Sequence, residues 1–129
     1  MKRKFSAVAA FLGMLTIIIG AFGAHTLKEI LDVESMQSFE TGVRYMMYHV
    51  LAILLIDNSS LLNQRIKDKI SLLFLAGIVF FSGSIFVIAL DLIPASVIWF
   101  VTPLGGLFFM LGWLITGISF LKSTDKKLK

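Results

Sequence analysis

Residues 34–56 read ESMQSFETGVRYMMYHVLAILLI, and whether this stretch crosses a membrane decides how the whole chain is arranged. Its apolar part, Thr41 to Ile56, is 16 residues long and contains Arg44 and His49. A helical span needs about 20 apolar residues, so composition alone leaves it short. Periodicity argues the other way. Met36, Phe39, Val43, Met47, Val50 and Leu54 recur at steps of three and four, which predicts one helix over 34–56. Its first two turns are expected outside the hydrocarbon. Glu40 stands four residues before Arg44, the favourable order for a helical ion pair. Arg44, about one turn deep, can snorkel to the interface.

The rest of the chain is easier to read. Phe5 to Ala24 gives 20 residues without a charge, Ile70 to Leu90 gives 21, and Leu92 to Leu121 gives 30. The last is too long for one upright span at about 1.5 Å per residue. It is expected to start near Ala95, after Pro94, a residue suited to a helix start, and to tilt or bend at Pro103 beside Gly105 and Gly106. Of the 129 residues 57% are hydrophobic and 16% charged, against about 25% charged in soluble domains. With no cysteine, disulfides, thiolate metal sites and a cysteine nucleophile are excluded. The predicted fold is an all-α integral membrane protein: one domain, 1–129, with four transmembrane helices in one compact bundle. The spans are about 5–25, 41–56 within the longer helix 34–56, 70–90 and 95–121, followed by a basic cytoplasmic tail, 122–129.

Charge gives the orientation. Lys2, Arg3 and Lys4 precede the first span; Arg65, Lys67 and Lys69 lie between the second and third; Lys122, Lys126, Lys127 and Lys129 follow the fourth. Four crossings put all ten on one side. The other side keeps Lys28 and Arg44, with Glu29, Asp32, Glu34, Glu40 and Asp91. The positive-inside rule then places both termini in the cytoplasm, with an external acidic segment between helices 1 and 2. Three crossings would split the basic clusters across the membrane. The expected location is the bacterial cytoplasmic (inner) membrane. The basic clusters flank spans and lack interleaved aromatics, so anionic lipid headgroups, not nucleic acid, are the expected contact. A cleaved signal peptide, ending near Ala21-Phe22-Gly23, is disfavoured because the apolar run has full membrane length.

Small residues mark where helices can approach closely in lipid. Gly13 and Gly20, Gly77 and Ser84, and Gly105, Gly112 and Ser119 are each seven apart. Ala9, Thr16 and Ala24 extend the stripe on the first span, and Gly23, Gly83 and Gly106 join the packing candidates. Most of this is expected to be packing within one bundle; a stripe left over would make a homo-oligomer surface. Trp99 reads as an interface anchor, Trp113 as a core filler beside Gly112.

Polar groups inside a membrane are functional candidates. Counted at about 1.5 Å per residue, His49, Ser82, Ser84, Thr102 and Pro103 all fall roughly 10 to 14 Å below the outer boundary. Tyr45 and Gly42 continue the face of His49, while His25 lies at the outer rim. The inner half reads as nearly free of polar positions. Pro103 is expected to free the carbonyl near Trp99, which then needs another donor. This layer reads as a dry network joining helices, or as a small hydrated site. Two histidines without cysteine show no metal-ligand spacing. No catalytic motif is present, so neither an enzyme nor a cofactor is expected. The first span also lacks the acidic residue used by small multidrug exporters.

Gly20-Ala21-Phe22-Gly23-Ala24-His25, Gly42-Val43-Arg44-Tyr45 with His49, Phe81-Ser82-Gly83-Ser84, and Thr102-Pro103-Leu104-Gly105-Gly106 leading to Gly112-Trp113 together resemble one uncharacterised family. It is that of domain of unknown function 423, whose eukaryotic branch is called transmembrane protein 256. The resemblance covers all four spans and implies a compact four-helix membrane protein. It brings no reaction, substrate or cofactor. Met46 stands where the family's pattern often has a polar residue, which weakens a polar site on that face. The function expected is a structural or helper role in the membrane, with self-association. A channel or transporter for a small solute or ion using the polar layer is the alternative, and a holin-like pore former a third.

Overall fold

A computed structural model describes residues 3–127, with the side chain of Lys127 excepted; the expected roles of Lys2 and Lys129 fall outside these residues. Four helices are long and apolar enough to cross a membrane. Helix α1 is Lys4–His25, α2 is Val33–Asn58, α3 is Gln64–Ala89 and α4 is Val101–Lys127. A 3-10 turn, Leu27–Glu29, joins α1 to α2, and one helical turn, Ala95–Ile98, precedes α4.

The helix starts follow from local chemistry. Asp32 caps α2 by accepting from the Ser35 N–H (2.7 Å), and Asn63 caps α3 through Ile66 (3.0 Å), each satisfying an otherwise orphaned amide. The Ser35 backbone bond, and after it the Ser35 hydroxyl, hold the Asp32 carboxyl below its usual value. At the far end of α3, Asp91 takes φ 56°. The Leu92 N–H bonds Val87 O and the Asp91 N–H bonds Ile88 O, a Schellman closure with aspartate in the position glycine usually holds.

Helix α2 is the middle of the bundle. It packs along α1 on one side and α3 on the other, and α3 packs along α4. Two stripes of α2 are therefore used. Phe39, Val43 and Val50 meet the glycines of α1, while Gly42 and His49 meet α3 and α4. The expected stripe through Val43, Met47 and Leu54 is half-buried, and the one through Gly42, Met46, His49 and Ile53 is buried outright. The first turns of α2 do not stand clear of the bundle: Phe39 is 2% exposed, seated against Gly23 of α1 and Phe86 of α3. Exposed Glu40 and Arg44 break the apolar count on one face without loosening the other. The Arg44 guanidinium donates to Thr41 Oγ1 (3.1 Å).

Two departures concern backbone. Residues Ile78–Ser82 of α3 form a π-helical segment, which no periodicity announced. The expected helix from Ala95 is interrupted at Trp99 and Phe100, and α4 starts afresh at Val101. Pro103 thus sits in a first turn, where its missing N–H leaves no gap in the ladder, so it neither kinks a long helix nor frees a carbonyl that a polar side chain must rescue.

Candidate functional site

Glycine and phenylalanine alternate between α3 and α4. A Cβ on Gly77 would lie 2.3 Å from the Phe109 ring, one on Gly112 2.5 Å from Phe74, and one on Gly105 2.2 Å from the Phe81 backbone nitrogen. Each glycine receives what the facing helix presents, and Gly105 marks the closest backbone approach. On α1, Gly13 meets Val50, Gly20 meets Val43 (3.3 Å each) and Gly23 meets Phe39, so that small stripe lies against α2. Gly106 has only a loose neighbour at 3.8 Å, and Gly83 and Gly117 have none within 4 Å. Gly42, absent from the packing candidates, has Phe86 at 2.7 Å.

These approaches set the polar contacts in two tiers. In one tier, fully buried Ser82 donates to the Gly42 carbonyl (2.7 Å), a carbonyl reachable because Gly42 presents no side chain. Ser84 donates to Phe81 O (2.9 Å) or pairs with Thr102 across to α4. His49 lies deeper, seven residues or about 10 Å beyond Gly42 on the same helix. Its Nδ1 is 2.7 Å from the Tyr45 carbonyl, and the Trp113 indole N–H donates to Nε2 (3.0 Å). A carbonyl can only accept and an indole N–H can only donate, which assigns a neutral imidazole with its proton on Nδ1. The ring lies flat on Phe109, centroids 3.5 Å apart at 9°, with Phe74 edge-on. His49 is 4% exposed.

Trp113 is not a core filler. It is 51% exposed and reaches from the bundle surface to donate to His49. Tyr45 lends its carbonyl to His49 while its ring packs on Phe81. Pro103 and His25 are exposed and the structure joins neither to this network.

The half of the bundle near Ser6 and Asp57, expected to be nearly free of polar positions, carries polar contacts that composition hid. Asp57, near the end of α2 and 7% exposed, accepts from the Ser6 backbone N–H (3.0 Å) and hydroxyl. Ser6 is in the first turn of α1, whose N-cap Arg3 makes no side-chain cap. Asp57 therefore caps a neighbouring helix. Lys67 is buried at 9% and donates to the Asp57 carbonyl (3.2 Å), putting a cation at the negative end of α2. Asn58 bonds Arg3, Ser6 Oγ (3.2 Å) and Leu54 O (2.8 Å). Thr116 donates back to Gly112 O (2.8 Å). Ser71 Oγ, fully buried, has no partner among the described residues. An acid in the last turn of a helix works against the macrodipole; that mismatch at Asp57 was the available signal that it serves another element.

Four cavities, of about 510, 400, 310 and 180 Å³, are lined by residues other than His49, Ser82, Ser84 and Thr102. Among the described residues no group of three or more His, Asp or Glu side chains could hold a metal.

Comparison with known proteins agrees with the motifs. The model of a family described as protein of unknown function (DUF423) matches residues 19–106. The chain is 33% identical to a UPF0382 membrane protein of Haemophilus influenzae, over 95% of this chain and 98% of that one. It is 38% identical to the UPF0382 inner membrane protein YgdD of Escherichia coli, over 89% and 88%. To the UPF0382 membrane protein YwdK of Bacillus subtilis it is 32% identical, over 93% and 98%. No solved structure matches.

Proposed function

The chain belongs to the DUF423 family of membrane proteins of unknown function, and from that premise we propose that it has a non-catalytic, structural or helper role in the bacterial cytoplasmic membrane. The observation that carries this reading is the closure of its polar layer. Ser82 reaches Gly42, Ser84 reaches Thr102 and Trp113 reaches His49, each by direct contact between helices. A conduction path needs polar groups turned to water. Here the same groups are spent on one another, as in a dry joint that fixes helix positions. The ten-to-two division of basic residues supports both termini in the cytoplasm. Self-association belongs to the proposal, but the α1 stripe is already occupied by α2. Gly83 and Gly117, whose Cβ positions are open, are the places where a second copy can approach.

Reconstitution into liposomes tests the role. The proposal expects proton and small-ion leak equal to that of empty vesicles, and no change in leak for His49→Ala. Flux above background that disappears in His49→Ala would replace it with the channel reading.

A further inference from the structure

The end of the bundle that carries Lys69 and Lys126 has a hollow. The start of α3 and the last turns of α4 part around a cavity of about 510 Å³. Leu61, Leu62, Ile66, Ile115 and Ile118 give it an apolar wall. Lys69, Lys122 and Lys126 also line it, and all three are exposed. Lys122 and Lys126 are one turn apart on α4, with Ser119 and Ser123 beside them. Among the described residues no acidic one lines the cavity; nearby Asp68 is engaged by the Gln64 amide (2.8 Å).

Depth gives this pattern its meaning. Lys69 immediately precedes the apolar run of α3, and Lys122 immediately follows that of α4. Both therefore stand where hydrocarbon gives way to headgroups, the level of lipid phosphate. An occupant must bring negative charge at that level and apolar mass below it. Free phosphate would meet the lysines and leave the leucine and isoleucine wall wet. A zwitterionic lipid would cover the wall and bring no net charge to three ammonium groups that share the cavity lining with no carboxylate. The basic cavity differs from its neighbour of about 310 Å³, where Arg3 and Lys67 are joined by Asp57 and already bonded to Asn58 and to the Asp57 carbonyl.

We propose that this cavity is a binding site for one anionic phospholipid, its phosphate held by Lys69, Lys122 and Lys126 and an acyl chain laid along Leu61, Ile115 and Ile118. Basic pockets between membrane helices are suited to such headgroups, at about 1 kcal/mol per lysine near the surface, or roughly five-fold in affinity. The site goes beyond the helper role and does not depend on it.

The full chain in detergent can be titrated with phosphatidylglycerol, with phosphatidylcholine of the same acyl chains, and with inorganic phosphate, and the complexes read by native mass spectrometry. The expected result is a one-to-one phosphatidylglycerol complex, at least tenfold tighter than that with phosphatidylcholine and not displaced by millimolar phosphate. Lys69→Gln with Lys122→Gln should weaken it about five-fold per lysine. Lys4→Gln with Arg65→Gln, which removes two charges from the same end outside the cavity, should leave it unchanged, with helix content intact in both. Equal affinity for the two lipids, displacement by phosphate, or equal losses in the two double variants would each overturn the site.

Discussion

At the scale of single residues, the joint between His49 and Trp113 ties a buried histidine of α2 to α4. Both ring nitrogens are used, and the ring is stacked on Phe109 with Phe74 edge-on. A double-mutant cycle with His49→Ala and Trp113→Phe should give a coupling of about 0.6 to 1.7 kcal/mol, the range for hydrogen bonds between membrane helices. His49→Gln should recover part of the loss, since it keeps a donor and an acceptor. Additive effects in thermal melts would remove the joint from the account. Asp57 is the other residue with a disproportionate role. Asp57→Ala should cost about 1 kcal/mol, the usual loss for an N-cap, and Asp57→Asn less. Hydrogen exchange should show the loss at the first turn of α1, although the mutation is in α2. His49 was legible as a candidate for contact between helices; its partner was not. Rise gives height along an axis, whereas the partner depends on how α2 and α4 are rotated about theirs, and one sequence does not carry that angle. Ser82 bonds Gly42, seven residues before His49 on α2, so the two polar groups expected in one layer stand at different levels along that helix.

At the scale of elements, glycines separate into those that hold helices together and those that do not. Gly105→Ala places a methyl group against the Phe81 backbone and should cost about 1 to 3 kcal/mol, as overpacking does. Gly117→Ala meets nothing and should be neutral, or stabilising by up to about 1 kcal/mol from helix propensity. Melting temperatures in one detergent compare the two directly. Three helices were visible in the sequence as long apolar runs and α2 as a run of three- and four-residue steps, and both length and period are one-dimensional properties. Small residues were visible as candidates too, but their sorting was not. Gly77 and Gly83 look alike on paper, and the π-helical turn between them rotates the rest of α3 relative to its first half. The break before Val101 was hidden for a similar reason: Trp99 and Phe100 are as apolar as the helices they separate.

At the scale of the whole molecule, α2 explains the arrangement. It is the least apolar span and the most buried within the protein, which is consistent: a helix shielded by its neighbours can keep a histidine, an acid and a glycine that lipid would penalise. The more uniformly apolar helices are less buried within the protein. The central claim is that α2 crosses the membrane, making four crossings with both termini inside. Because the chain has no cysteine, single cysteines report position without background. Ser38→Cys, Ser60→Cys and Thr124→Cys replace exposed residues at the two ends of the bundle. A maleimide that cannot cross membranes should label Ser38→Cys in intact cells, and the other two only after permeabilisation. Labelling of Thr124→Cys from outside, or of Ser38→Cys and Ser60→Cys from the same side, would contradict it.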